Sequence, residues 1–414
     1  MKLILTHPTA NANVRAVLDG FEKANALYEF RTSVATFPGN FLGYLSKLPG
    51  FSEFKRRGFS PAVKEVTHTY PWFELGRMLA SKLKFDSLIQ HETGRFSIDS
   101  VYRNFDEWVA SSITKRRNNN VASAVYAYED GALATFKKAR SLGIQCLYDL
   151  PIGYWLTAQR LLSKELERWP DWAATLTGFN DSQIKLDNKD EELKLADHIF
   201  VASSFTASTL KDYPGKLAPV SVIPYGFPPV GENRNYSSLS SRPLKVLFVG
   251  GLSQRKGIAD LFSAVDNIGK SIELTVVGRK LVNNCLPLNE ALVKHKWIPS
   301  LPHAEVLKLM RENDVLVFPS LFEGFGLVIT EAMSQGTPVI TTERTAGPDL
   351  IRHGENGWLV NAGSSAALQS ALEDILLHPE ILAENGRLAR ESAKKRPWAV
   401  YGQELVEAVS LISK

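Results

Sequence analysis

The chain has 414 residues, 44% of them hydrophobic and 22% charged, with 28 glycines and 21 prolines. That make-up belongs to a globular protein of two or three domains and excludes a collagenous or wholly disordered chain. Basic residues exceed acidic ones by only 48 − 44 = 4, too few to imply a nucleic-acid partner. The two cysteines, Cys146 and Cys285, exclude a disulfide framework or a Cys-rich zinc site and fit a reducing compartment.

The first residues, Met1 to Pro8, hold too few apolar side chains for a secretory segment. No run of about 18 apolar residues occurs that would span a bilayer. The expectation is a cytosolic protein, dissolved or resting on a membrane face. Short apolar runs at Lys2–Leu5, Ala122–Ala127, Ile144–Tyr148 and Ile199–Val201 predict buried strands. Helical periodicity over Val14–Ala26 and Gly131–Leu142 falls between them. Strands that alternate with helices predict βαβ units and parallel sheets, an α/β protein.

Between residues 31 and 115 the pattern is irregular. Phe30, Phe37, Phe41, Tyr44, Phe51, Phe54 and Phe59 are interleaved with Lys47, Lys55, Arg56 and Arg57, and Lys115, Arg116 and Arg117 follow. Such residues suit either a basic, aromatic surface on an anionic membrane face or core aromatics among solvated charges. Their spacing holds no helical period, which favours the second reading. The stretch Ile223–Pro243 is rich in Pro, Gly, Ser and Asn and reads as a linker. It divides residues 1–225 from a second α/β half at 244–396, with 226–243 between them.

The second half predicts strands at Lys245–Val249, Glu273–Val277, Val315–Phe318 and Pro338–Thr341, and helices at Ala304–Glu312 and Leu327–Gln335. Its first strand runs into Gly250-Gly251-Leu252-Ser253-Gln254-Arg255-Lys256-Gly257. Glycines between a strand and a helix let backbone N–H groups approach an anion. Arg255 and Lys256 add a bidentate donor and a point charge. A diphosphate is the natural ligand; the alternative is a tight turn with two exposed basic residues. Neither G-x-G-x-x-G nor G-x-x-x-x-G-K-[ST] occurs, which argues against a dehydrogenase and a P-loop NTPase.

The third strand leads into Pro319-Ser-Leu-Phe-Glu323-Gly324-Phe325-Gly326-Leu327 and on to Glu331. Two glycines open a helix whose N-terminal amides face the carboxyl end of the sheet. Glu323 precedes those amides and Glu331 lies on the second turn. Carboxylates accept hydrogen bonds from hydroxyls, so the pair suits sugar and ribose rings flanking a diphosphate.

These pieces, with Phe248–Leu252, Val276–Gly278, Asp314–Ser320, Gly336–Val339 and Gly354–Gly357, resemble the C-terminal domain of glycosyltransferase family 4, the retaining GT-B glycosyltransferases. The resemblance spans roughly residues 244–396; Ala196–Ile199, Ser203–Phe205 and Ile223–Gly226 match the end of the family's first domain more loosely. It implies two Rossmann-like domains facing across a cleft: an acceptor domain at 1–225, joined by a returning helix at 397–414 kinked at Pro397, and a donor domain at 244–396. By that resemblance Arg255 and Lys256 neutralise the donor diphosphate, Glu323 holds hydroxyls of the transferred sugar and Glu331 the ribose. Gly251 and Gly324 belong to the same two loops. The amides of Phe325, Gly326 and Leu327 meet the distal phosphate and sugar, and the backbone of Gly278, Arg279, Trp297 and Ile298 surrounds the base. No metal and no cofactor are implied, since the nucleotide sugar is itself the substrate.

The first half departs from the family pattern. The loop His7–Asn13 has no glycine, which leaves Asn11 and Asn13 as candidates to line the cleft, with His7 beside them or in a structural role. A family histidine is replaced by Tyr128, so Glu129 or Asp130 would orient the acceptor; the alternative is a charge pair at a helix N-terminus. The implied reaction is transfer with retention to a glycan or lipid-linked hydroxyl, in envelope glycan, exopolysaccharide or glycolipid synthesis, with peripheral membrane contact. Rival readings are a sugar-nucleotide epimerase or phosphorylase on the same fold, and a silent binding subunit. Retention of Glu323, Glu331, Arg255 and Lys256 argues against the last.

Overall fold

The computed structural model describes residues 1–9, 11–39, 44, 52–113, 122–234, 236 and 242–412. Two parallel sheets organise the chain. The first joins β1 (Leu3–Thr6), β2 (Leu27–Thr32), β3 (Thr67–Thr69), β4 (Ala124–Tyr128), β5 (Gln145–Leu150), β6 (His198–Val201) and β7 (Val220–Val222) in the order β3-β2-β1-β4-β5-β6-β7. The second joins β8 (Leu244–Val249), β9 (Ile272–Val277), β10 (Lys296–Ile298), β11 (Val315–Phe318), β12 (Val339–Thr342) and β13 (Gly357–Val360) in the order β10-β9-β8-β11-β12-β13. Each is a Rossmann-like domain with helices on its faces. Strand order reverses beside β1, where Leu5 lies between Phe30 and Tyr126, and beside β8, where Leu247 lies between Thr275 and Leu316. Such switch points open a crevice at the carboxyl ends of the strands.

Every residue of β1, β4, β6, β11 and β12 is buried. Helices cover both faces of a parallel sheet, so its central strands read as unbroken apolar runs. The strands that the sequence conceals are β2, which carries Glu29 and Arg31, and the short β3, β7, β10 and β13 toward the sheet edges. Helices Ala12–Lys23, Leu133–Ser141, His303–Glu312 and Leu327–Ser334 stand where periodicity places them.

The aromatic stretch follows the reading its spacing favours, core aromatics, and one expectation is corrected. Phe30, Phe37, Phe54 and Phe59 are buried. Phe30, Phe37 and Phe59 lie in the first domain's core, where the Phe59 ring packs on Phe30 and carries the Arg15 guanidinium. These rings form no membrane surface. Tyr44 is exposed, while Phe41, Lys47, Phe51 and Lys115–Arg117 lie outside the described residues. The expected linker is in part a strap on the second domain. Gly231 N donates to Ser334 O at 3.0 Å, Arg234 donates to Thr337 Oγ1 at 2.8 Å, and Tyr236 OH donates to Gly336 O at 2.5 Å.

The chain returns to the first domain at its end. Helix Ile381–Lys395 stops before Arg396 and Pro397, and helix Trp398–Ile412 then packs on Ala12–Lys23. Tyr401, Leu405 and Val409 enter the first domain's core. Where the two connections pass each other, Phe227 N donates to Arg396 O at 2.8 Å, and Arg396 forms an ion pair with Glu404 at 2.6 Å. A third link is noncovalent: helix Trp155–Arg168, between β5 and β6, leads to Trp172, which lies in the core of the second domain. Among the described residues no helix is long and apolar enough to cross a membrane.

Candidate active site

The loops that follow β8 and β11 meet at the second domain's switch point. Gly257 ends the first loop with φ +69°, and a Cβ there would stand 2.1 Å from Pro319 O, so the close approach of the two loops requires glycine. Arg255 donates to Phe322 O at 2.8 Å and lies 3.3 Å from Glu323 Oε2. Lys256 Nζ pairs with the same carboxylate oxygen and lies 5.0 Å from the centre of the Phe318 ring. The two cations expected to face a diphosphate are thus both paired with the single Glu323 carboxylate, which leaves the cluster with an excess positive charge. Burial pulls the Lys256 ammonium below its ordinary pKa while Glu323 opposes that shift. Lys256 is therefore no solvated surface charge.

The N–H groups of Phe325, Gly326 and Leu327 donate to no partner among the described residues. They open helix Leu327–Ser334. Their positive end lies in the loop that carries Glu323, a setting for an anion. Glu331 stands 2.9 Å from His303 Nε2 at the start of the neighbouring helix; His303 is a site neighbour that sequence reasoning missed. The ends of β8, β9 and β10 converge: Leu252 N donates to Arg279 O at 3.0 Å, and Gly278 N to Ile298 O at 3.0 Å. The Trp297 indole donates to Gly278 O at 2.9 Å, which already occupies that carbonyl. Gly251 lies in the first loop, where its carbonyl accepts from Ser253 N.

The first domain touches this site directly. Ser203 Oγ and Thr206 Oγ1 donate to Gly324 O at 2.6 and 2.9 Å. A Cβ on Gly324 would stand 2.0 Å from Pro151 O, so the two sheets meet at their carboxyl ends with no room for a side chain. The Phe325 ring lies 4.8 Å from Tyr225. Ser203 was legible as a family match but not as a contact to Gly324.

The first-domain residues named as acceptor candidates are largely committed to internal contacts. His7 is buried and accepts from Thr9 N through Nδ1 at 2.9 Å; burial pulls it down to about 4, so the ring is neutral at pH 7. Its edge packs on Tyr128 at 4.7 Å. Asn11 is exposed and caps its helix with no side-chain bond, whereas Asn13 is buried and donates to Tyr225 OH at 3.2 Å. Glu129 is buried 3.0 Å from Lys189, with Asp130 3.3 Å from the same ammonium. Burial pushes the Glu129 carboxyl up, against the pull of Lys189. The reading of this pair as the charges that cap the helix N-terminus does not hold. The amides that open helix Leu133–Ser141 go to other carboxylates: Ala132 N and Leu133 N to Glu192, and Ala134 N and Thr135 N to Asp106. A lysine and two acids from distant segments close this cluster, so sequence spacing carries no sign of it.

Four hydroxyls at the carboxyl ends of β1, β2 and β4 are buried without a partner among the described residues: Thr6 Oγ1, Thr32 Oγ1, Ser33 Oγ and Tyr128 OH. Nearby, Asp149, next to last in β5, accepts from Tyr126 OH at 2.7 Å. Burial pushes its carboxyl up to about 7. His198 is structural, bonded to Ser221 Oγ at 2.9 Å. One group among the described residues could offer three metal-ligand atoms, His91, Glu92 and Asp181. Lys185 already lies 3.1 Å from Asp181 and 2.8 Å from Asp99.

The fold and these two loops define a GT-B protein. Sucrose-phosphate synthase from Thermosynechococcus elongatus superposes with a TM-score of 0.66 at 18% identity, covering 100% of this chain and 99% of that one. HepE from Anabaena in complex with UDP superposes with a TM-score of 0.62 at 16% identity, covering 99% and 100%. Residues 230–395, in the second domain, match the family of glycosyl transferases group 1. A phosphatidyl-myo-inositol mannosyltransferase of Mycobacterium leprae is 30% identical over 194 residues, 43% of this chain and 52% of that protein. The match thus spans about half the length of that curated relative.

Proposed function

We propose that the protein is a retaining glycosyltransferase that moves a sugar from a nucleoside-diphosphate sugar to a hydroxyl acceptor. The observation that carries this reading is the cluster of Arg255, Lys256 and Glu323 beside the unpartnered amides of Phe325, Gly326 and Leu327. Breaking the bond from sugar C1 to the diphosphate builds negative charge on the leaving phosphate. Two preorganised cations and a helix N-terminus stabilise that charge, an effect worth roughly 3–4 kcal/mol per donor. A diphosphate would draw Arg255 and Lys256 to itself and release Glu323 to accept from sugar hydroxyls. Glu331 would accept from the ribose. The superposition on a protein bound to UDP supports a nucleotide donor. Retention follows from same-face attack, with the leaving phosphate taking the acceptor proton.

The acceptor would lie over the carboxyl ends of β1, β2 and β4, where the unpartnered hydroxyls of Thr6, Ser33 and Tyr128 fit a polar, glycan-like group. A role in envelope glycan, exopolysaccharide or glycolipid synthesis accords with a polysaccharide-synthesis relative, the capsular glycosyltransferase CapM of Staphylococcus aureus. An exposed apolar set on the first domain, Trp72, Leu79, Leu83 and Phe85, supports contact with the cytosolic face of a membrane. No metal or other cofactor enters this reading. The test is release of nucleoside diphosphate from a panel of sugar nucleotides, with and without acceptors. Release that needs an acceptor supports transfer; free nucleotide or sugar phosphate without one would point to an epimerase or phosphorylase. No release from any donor, despite binding, sinks the enzyme reading.

A further inference from the structure

The turn that carries Arg255 and Lys256 belongs to the second domain, yet much of its support comes from the first. Thr175 is fully buried at the end of the segment that follows helix Trp155–Arg168. Its carbonyl accepts from Ser253 Oγ at 2.8 Å, and its hydroxyl accepts from Gln254 N at 2.9 Å while donating to Trp172 O at 2.8 Å. Gln254 is also fully buried. Its side-chain amide donates to Glu165 Oε2 at 2.9 Å and accepts from Ala259 N at 2.9 Å, so one side chain ties the turn to both domains.

The segment is anchored at both ends. At its start Thr157 Oγ1 donates to Thr209 O at 2.9 Å and the Trp155 indole to Asp190 at 2.7 Å, both in the first domain. At its far end the Trp172 ring stacks on Phe262 of the second domain, centroids 6.0 Å apart and planes 22° apart, and Arg168 pairs with Asp260. On the opposite side of the turn, Leu321 N donates to Arg255 O at 2.8 Å. The loop holding Leu321 and Phe322 shares a small apolar core with Leu162 and Leu176 of the same segment. Both loops that converge on Glu323 are therefore shaped from outside their own domain.

We propose that Thr175, with Glu165 and Gln254, positions the Arg255–Lys256 turn, so that the diphosphate site is assembled by the first domain rather than carried complete by the second. The proposal rests on the transferase reading for its catalytic meaning. The physical reason is rigidity: two buried hydrogen bonds to consecutive residues fix the backbone from which both cations project, and preorganised charges need no rearrangement when the phosphate arrives.

Thr175→Val keeps the shape of the side chain and removes its hydrogen bonds; Thr175→Ser keeps them. Hydrogen exchange is measured on the folded full chain at the amides of residues 254–257. Binding of ADP, GDP and UDP is measured by calorimetry. The expected result is exchange about tenfold faster in Thr175→Val, restored in Thr175→Ser, with a matching loss in affinity for whichever nucleotide the wild type binds. Should Thr175→Val fail to fold, Gln254→Met carries the same measurement. Unchanged exchange in a folded variant overturns the proposal whatever the nucleotide result. A wild type that binds none of the three nucleotides overturns the transferase reading. A wild type that binds, beside a Thr175→Val variant that binds equally well, overturns the positioning role alone.

Discussion

Lys256 and Glu323 form a partly buried ion pair at the carboxyl edge of the second sheet, each from a different loop. Glu323 thereby competes with any anion for the cation. Replacing Glu323 by Gln should raise affinity for the free nucleoside diphosphate about 3- to 10-fold while turnover falls, because the competing charge is gone and the sugar contact is weakened. Lys256→Ala should lower kcat by about 10²–10³ with little change in the unfolding midpoint. Calorimetry and steady-state kinetics on the two variants check both statements; weaker nucleotide binding in Glu323→Gln would contradict the competition.

Glu331 and His303 lie side by side where the ribose is expected. Glu331→Ala should cost about 1–3 kcal/mol of nucleotide binding. His303→Gln keeps a donor toward the carboxylate and should cost less. Equal affinities in wild type and Glu331→Ala would remove Glu331 from the binding surface.

A methyl group at position 324 has no room beside Pro151 O. Gly324→Ala should destabilise the chain by about 1–3 kcal/mol through strain at the domain contact. It should also raise KM for the donor, since the amides of Phe325 to Leu327 follow directly. Thermal unfolding and donor kinetics are the measurements. An unchanged melting temperature would mean that the two domains separate there without cost.

Asp149 predicts a pH effect. Its folded pKa of about 7 stands above the ordinary 3.8 because the site is buried. The folded state thus holds a proton that the unfolded chain has already lost. This group's contribution is fully present below about pH 4 and is lost as pH rises through about 7, by at most on the order of 4 kcal/mol. Relative to wild type, Asp149→Asn should gain stability between pH 5 and pH 8, read from urea midpoints at each pH. Parallel midpoints would show that Asp149 ionises freely in the fold.

What could be read from the sequence divides along physical lines. The buried central strands and the two loops after β8 and β11 are contiguous, so apolar runs, glycines and charges announce them directly. The partners of those loops are not contiguous. Ser203, Thr206 and Thr175 reach Gly324 and Gln254 from far along the chain, and a buried hydroxyl looks like any other in sequence. Glu129 shows the same limit: its neighbour Lys189 is sixty positions away, so its role as a buried ion-pair partner could not be inferred from a helix boundary. The strap contacts of Gly231, Arg234 and Tyr236 are hidden because the composition there is that of a linker, while these hydrogen bonds to the second domain depend on tertiary contact.

Trp172 sits as a plug from one domain in the other, on a different part of the chain from the paired crossing at Phe227 and Arg396. A body joined at one place by its covalent crossings and at another by a removable plug has two kinds of motion open to it. Small twists keep the indole seated against Phe262 and leave the diphosphate turn intact. A wide opening that kept residues 155–176 with the first domain would draw the indole out and part Thr175 from Gln254. On the proposed transferase reading, product release and dismantling of the Arg255–Lys256 turn would then be a single event.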